Sequence, residues 1–90
     1  MNPRVITVEA TNKHFLKLSF ENDEIKLFDA SPFLDKGIFK ELKDYNYFKQ
    51  ASVAFGSVKW PHDQDFSYDT LYLLSKSLAR HNDSPLGASL

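Results

Sequence analysis

Phe15-Leu16-Lys17-Leu18-Ser19-Phe20-Glu21-Asn22-Asp23-Glu24-Ile25-Lys26-Leu27-Phe28 is the stretch on which the fold turns. Its first six residues alternate, with Leu16, Leu18 and Phe20 on one face and Lys17 and Ser19 on the other, which is the period of a half-buried strand. The polar residues Glu21 to Glu24 interrupt the pattern and Ile25 to Phe28 resume it, so a hairpin is expected. A two- or four-residue loop gives the same pairing, Phe20 with Ile25 and Leu18 with Leu27, and puts both apolar sets on one face. The tight version would set Glu21 opposite Glu24, a like-charge pair, which favours the wider loop. Upstream, Val5 to Glu9 reads as a further strand with a turn at Thr11-Asn12-Lys13, so the chain should open with a three-stranded meander.

Downstream, the chain leaves this sheet at Asp29-Ala30-Ser31-Pro32. Ser31 can cap free N–H groups, and Pro32 at a first helical position has none to satisfy. Gly37 should end that piece, Phe39 to Leu42 should form a second short helical segment, and a third turn should follow Asp44, with Tyr47 and Phe48 as its apolar residues. Ser52 to Trp60 then offers two β-type runs around Gly56-Ser57, a two-residue hairpin signal in which Gly accepts the positive φ of a type II′ turn. That loop opposes Phe55 to Val58 and Val53 to Trp60, all four on one face, with Ala54 and Lys59 on the other. Trp60 is therefore expected in the core. Pro61, which cannot donate to a ladder, ends the strand, and the segment up to Ser67 reads as a connecting loop.

Tyr68, Leu71, Leu74 and Leu78, flanked by Tyr72 and Ala79, recur at helical spacing. Ser67 is the expected N-cap, Asp69 suits the positive end of the helix dipole, and His81-Asn82 is the expected end. Residues 1–82 should thus form a single α+β domain, mostly antiparallel sheet: the N-terminal meander, a second hairpin, short central helices and one longer C-terminal helix. Residues 83–90 read as a flexible tail.

A chain of 90 residues holds one small core, burying about 60–65% of the surface its unfolded state exposes. An apolar share of 42% with eight Phe, four Tyr and one Trp is too high for a disordered chain. A net charge of -1 and a pI near 6.3 supply no long-range attraction for a polyanion, which argues against nucleic acid as the main partner. The N-terminus has no apolar signal-peptide region, and no apolar run approaches the length of a membrane span, so a soluble cytoplasmic protein is expected. With no cysteine, the chain has no disulfide, no thiolate nucleophile and none of the usual structural zinc ligand sets.

One histidine and three carboxylates, His62, Asp63, Asp65 and Asp69, crowd the segment after Trp60. Such groups can hold a metal ion or act as an acid/base pair. The spacing matches no EF-hand loop, and His-Glu-x-x-His is absent, so turn and capping roles are the simpler reading; no catalytic residue, metal ligand or cofactor is assigned. Asp65 carries a sharper expectation: buried beside the sheet, it would accept hydrogen bonds from loop N–H groups and pin the Trp-Pro turn to the helix start. His14 and His81 stand apart from any nucleophile. Tyr45, Tyr47 and Phe48 could stack bases, but only Lys43 and Lys49 flank them, with Asp44 between, and core or interface packing is simpler. Gly37 and Gly56 fit no phosphate-cradling pattern.

The order and spacing of Phe39, Leu42, Phe48, Val53, Gly56, Val58, Trp60-Pro61, Asp65, Asp69 and Leu71-Tyr72 resemble a small bacterial family, domain of unknown function twenty-four forty-two, over roughly residues 4–75. Its most specific part is Trp-Pro-x-x-x-Asp followed by a helix with Asp and Leu-Tyr, here Trp60 to Asp65 and Asp69 to Tyr72. Members often carry Asn-Gly after the Pro and in the first hairpin turn, where this sequence has His62-Asp63 and Asn22-Asp23. The resemblance implies an α+β domain, mostly antiparallel sheet with short helices, and no established activity. Some relatives carry an added helix-turn-helix domain, which points to regulatory or toxin–antitoxin-like settings; this chain is too short to hold one.

These readings favour a small noncatalytic protein-interaction module whose partner is another protein or a second copy, with a strand edge or the Tyr45 to Phe48 segment as contact surface. Tyr45, Tyr47, Phe48, Trp60, His62 and Asp65 are the candidate binding residues. The alternatives are a metal-dependent or hydrolytic protein using the His62 to Asp65 loop, and a weak nucleic-acid binder using Lys76, Arg80 and His81.

Overall fold

The structure, a computed structural model, describes residues 2–80. Strands β1 (Val5–Thr11), β2 (Phe15–Phe20) and β3 (Glu24–Asp29) form the expected antiparallel meander. Two short 3-10 segments, Ser31–Phe33 and Gly37–Lys43, and the helix α1 (Tyr45–Phe48) then cross to a second sheet of β4 (Ser52–Ala54), β5 (Ser57–Lys59) and β6 (Asp65–Phe66). Helix α2 (Tyr68–Leu74) returns the chain to the first sheet, where β7 (Lys76–Arg80) joins the edge. The sheets are thus four-stranded, in the order β1-β2-β3-β7, and three-stranded, in the order β4-β5-β6, and every pairing is antiparallel.

The first hairpin has a register one residue away from the expected one. Leu18 faces Lys26 and Leu16 faces Phe28, so the loop is the three residues Glu21 to Asp23. Asp23 takes a φ of 70°, closing the loop in the left-handed conformation that Asp tolerates better than most residues. A one-residue slip inverts a strand's faces: Phe28 and Lys26 point into the core, and Ile25 and Leu27 lie on the other side, half-buried. Lys26 is accommodated because its ammonium donates to the Tyr72 carbonyl near the end of α2 and lies 3.8 Å from the Tyr72 ring centroid.

The second hairpin also turns elsewhere. Val53 pairs with Val58 and Ala54 with Ser57, leaving Phe55-Gly56 as the loop, with φ of 53° and 80°. Two successive positive φ values are those of a type I′ turn, whose twist matches the strands, so Phe55 is removed from the sheet face it was expected to share. Val58 and Trp60 remain buried. Gly56 is required twice over, since a Cβ there would stand 2.6 Å from the Arg4 side chain as well as straining the backbone. The segment after Pro61 is more than a connector, because Asp65–Phe66 adds the short strand β6 to β5.

The longer C-terminal helix is not formed. α2 stops at Leu74, and Ser75 is already extended, with φ -91° and ψ 162°. Ser67 caps the helix as expected, its hydroxyl accepting from the Thr70 N–H, and Leu71 is fully buried, but Leu74 and Leu78 are not core residues. A helix this short has little stability of its own, and the open edge of β3 recruits the next five residues as a strand although Lys-Ser-Leu-Ala-Arg has weak strand propensity. The helix end expected at His81-Asn82 and the tail expected over residues 83–90 lie outside the described residues.

A single cluster draws its residues from both sheets: Val5, Leu16, Leu18, Phe20 and Phe28 from the larger, Val58 and Phe66 from the smaller, with Trp60, Leu42, Phe48 and Leu71 between. Phe66 is its hub. Its ring stacks on Phe39 at 4.8 Å and meets Phe28, Phe33 and Trp60 at 5.0, 5.2 and 5.8 Å, offset or edge-on arrangements that aromatic quadrupoles favour.

Candidate functional site

The Trp-Pro turn repeats the geometry of the first hairpin. Trp60 N–H donates to the Gln64 carbonyl and Asp63 N–H to the Trp60 carbonyl, and Asp63 takes a φ of 72°, so Pro61-His62-Asp63 is again a three-residue loop closed by a left-handed Asp. The family resemblance leads to Asn-Gly near both turns; here an aspartate occupies each strained position.

Around this turn four of the six candidate residues come together. Trp60 Nε1–H donates to the Phe48 carbonyl at 2.8 Å, tying the strand end to α1. Tyr47 Oη donates to Gln64 Oε1 at 2.6 Å and accepts from the His62 N–H at 2.9 Å, and the His62 ring stacks on the Tyr47 ring at 5.1 Å. Tyr45 lies at the margin, half-buried, with its ring edge-on to His14. Trp60, Phe48 and Tyr47 are 1%, 0% and 8% exposed, so their side chains build the interior, as expected for Trp60.

Asp65 does not join them. It is exposed, and the buried acceptor assigned to it is its neighbour Gln64. Besides accepting from Tyr47, the Gln64 amide donates to the Ile38 carbonyl at 3.1 Å and to Glu41 Oε1 at 2.9 Å. One side chain thus links the Trp-Pro turn to α1 and to the segment before it. Glu41 also takes the His62 Nδ1–H at 2.8 Å. Hydrogen bonds to the charged form, first from His62 and then from Gln64, hold the Glu41 carboxyl below the ordinary carboxylate range. An imidazole oriented by a carboxylate at Nδ1 can accept a proton at Nε2, an arrangement with acid/base character.

Besides Ile6 and Ile38, which are also exposed, apolar side chains reach solvent at two other places. Leu73, Leu74 and Leu78 are 67%, 61% and 53% exposed, all at the junction of α2 with the edge strand β7. Beside them a groove of about 420 Å³ is lined by Phe15, Leu27, Asp29, Leu74, Ser75 and Lys76. At the β4–β5 tip, Phe55 is 98% exposed.

A family profile described as "Protein of unknown function (DUF2442)" matches residues 5–77, nearly the whole described chain. The chain belongs to the DUF2442 family. Neither the curated proteins nor the solved structures contain a match to it. In this DUF2442 domain, no three His, Cys, Asp or Glu side chains among the described residues are grouped to hold a metal ion. Likewise no described helix is long and apolar enough to cross a membrane. His62 is drawn to Glu41 while Asp63 and Asp65 line a groove beside Phe55, so the proposed His62 to Asp65 loop site is divided between two features.

Sequence reasoning missed Glu41 and Gln64 because their partners lie far apart along the chain, and missed Leu74 and Leu78 as surface residues because they complete a helical stripe. Phe55-Gly56 carried half a signal: Gly suits the second position of a type I′ turn, but Asn, Asp or Gly, not Phe, usually stands at the first.

Proposed function

We propose that this DUF2442 domain is a noncatalytic protein-interaction module that docks another protein, or a second copy of itself, along the β7 edge of its larger sheet. The observation that carries this reading is the exposure of Leu73, Leu74 and Leu78 on the outermost strand and the helix end leading into it. An edge strand presents unpaired N–H and C=O groups, and an added strand supplies the partner while neighbouring apolar pockets choose its side chains. The Phe15–Leu27–Leu74 groove is such a pocket, flanked by Asp29 and Lys76, which can orient a charged neighbour. A regulatory or toxin–antitoxin-associated setting belongs to the same proposal, since a module of this kind acts through what it holds.

The test is Leu74→Glu with Leu78→Glu. Both side chains are exposed, so the thermal midpoint should stay close to that of the unaltered chain. Self-association measured by light scattering, or recovery of a stoichiometric partner from cells, should be lost. Retention of both would sink the β7 docking reading.

The acid/base alternative rests on the Glu41–His62 pair alone, which is accounted for as a brace between the Trp-Pro turn and the 37–43 segment. For the nucleic-acid alternative, Lys76 lies at the β7 edge, whereas His81 falls outside the described residues.

A further inference from the structure

Phe55 suits neither the core nor its own backbone. Its side chain is almost wholly in water, and its φ of 53° lies where a residue bearing a Cβ is disfavoured and where Asn or Gly usually stands in this turn. The tip that carries it is nonetheless firmly held. Val5 N–H donates to the Gly56 carbonyl at 2.9 Å, Tyr68 N–H donates to Ser57 Oγ at 3.0 Å, and the Arg4 stem lies against Gly56 with its guanidinium 5.4 Å from the Tyr68 ring centroid. A large aromatic presented on a braced turn loses little freedom when something covers it, which is how interface anchors work.

What covers it is indicated by the adjoining groove of about 340 Å³, lined by Ala54, Phe55, Ser57, Lys59, Asp63 and Asp65. Lys59 and Asp65 face each other across β5 and β6 and offset one another, which leaves the Asp63 carboxylate as the groove's net charge. A surface that sets an exposed phenyl ring beside a carboxylate complements an apolar side chain next to a cation. It repels phosphate, so anionic lipid and nucleic acid are the wrong partners for it.

We infer that the Phe55 tip is an anchor for a basic-apolar segment of a partner protein, the ring taking an apolar side chain or an arginine stem while Asp63 meets the cation. This site is separate from the β7 edge, so variants at either surface leave the other intact.

The probe is a short peptide of alternating leucine and arginine, compared with one carrying glutamate for arginine and with phosphatidylserine vesicles, each titrated against the labelled full chain by amide NMR. The arginine peptide should shift the amides of residues 54–57 and 63–65, and the glutamate peptide and the vesicles should leave them unmoved. Phe55→Asn should raise the thermal midpoint, because Asn-Gly suits this turn, and yet weaken the peptide about tenfold. Asp63→Asn should weaken it less and reduce its salt dependence. Peptide shifts confined to other surfaces, equal binding of the glutamate peptide, Phe55-dependent binding to vesicles, or a Phe55→Asn chain that binds undiminished would each overturn the proposal. So would a chain whose Phe55 amide shifts with its own concentration, which would assign the tip to a second copy.

Discussion

The Trp-Pro end of the molecule and the α2–β7 end are built on opposite terms. At the first, apolar bulk is buried and the polar atoms are bonded: Trp60, Phe48 and Tyr47 are enclosed, and the Gln64 side chain makes three hydrogen bonds. At the second, three leucines face solvent on a short helix and an edge strand. Satisfied, close-packed regions are where a small domain gets its stability, and exposed apolar surface contributes little to it. Three side chains chosen as binding candidates, Tyr47, Phe48 and Trp60, are therefore enclosed, whereas Leu74 and Leu78, expected on a buried helical stripe, are accessible.

The contrast would break most readily at Trp60. Trp60→Ala removes a fully enclosed ring and the Phe48 hydrogen bond, and should cost about 3–5 kcal/mol in urea unfolding, a large part of what a domain of this size has. A loss comparable to that of an exposed residue would show that this end is not the stable one.

Gln64 against Asp65 sharpens the same point one step down. Gln64→Ala should cost about 1–3 kcal/mol because the Tyr47 hydroxyl loses its acceptor and the Ile38 carbonyl its donor, whereas Asp65→Asn should stay within about 0.5 kcal/mol. The reverse ranking by chemical denaturation would restore the pinning role to Asp65.

Smaller again is the effect at the loop that sets the first register. Asp23→Val, which places a β-branched side chain at positive φ, should cost about 1–2 kcal/mol, and Asp23→Gly should lie close to the starting protein. Equal stability of the Val variant would mean that the three-residue loop does not hold the register.

The least effect is expected from acid. Because the Glu41 carboxyl is held low by His62 and Gln64, its contribution is present above the unfolded value of about 4.3 and is lost as pH falls through the lower folded value. Glu41→Gln should flatten the acid limb of a pH–stability curve, slightly, because the pair is open to solvent. An unchanged acid limb would remove the brace from the list of contributors.

Alternation in Phe15 to Phe20, the β-type runs around Gly56, the Ser67 cap and the burial of Trp60 were legible in the chain, since each depends on residues within a few positions of one another. The antiparallel α+β class followed from those. Registers were less legible: Phe20 to Ile25 and Ala54 to Ser57 each admit more than one loop, and a left-handed Asp23 or Phe55 decides between them only when the whole face can be seen to pack. The Gln64 network was illegible because Ile38, Glu41 and Tyr47 approach it only after two sheets have met.

The end of α2 marks the boundary most clearly. Local spacing in Tyr68 to Leu78 determined that an amphipathic helix starts at Ser67 and buries Leu71. Tertiary structure alone decided where it stops, because β3 had an open row of backbone groups to satisfy and Lys26 stood ready at the Tyr72 carbonyl. Hydrophobic period and capping act along the chain and can be read from it. Backbone pairing between distant strands depends on which edge is left free, and that is settled only when the sheet exists.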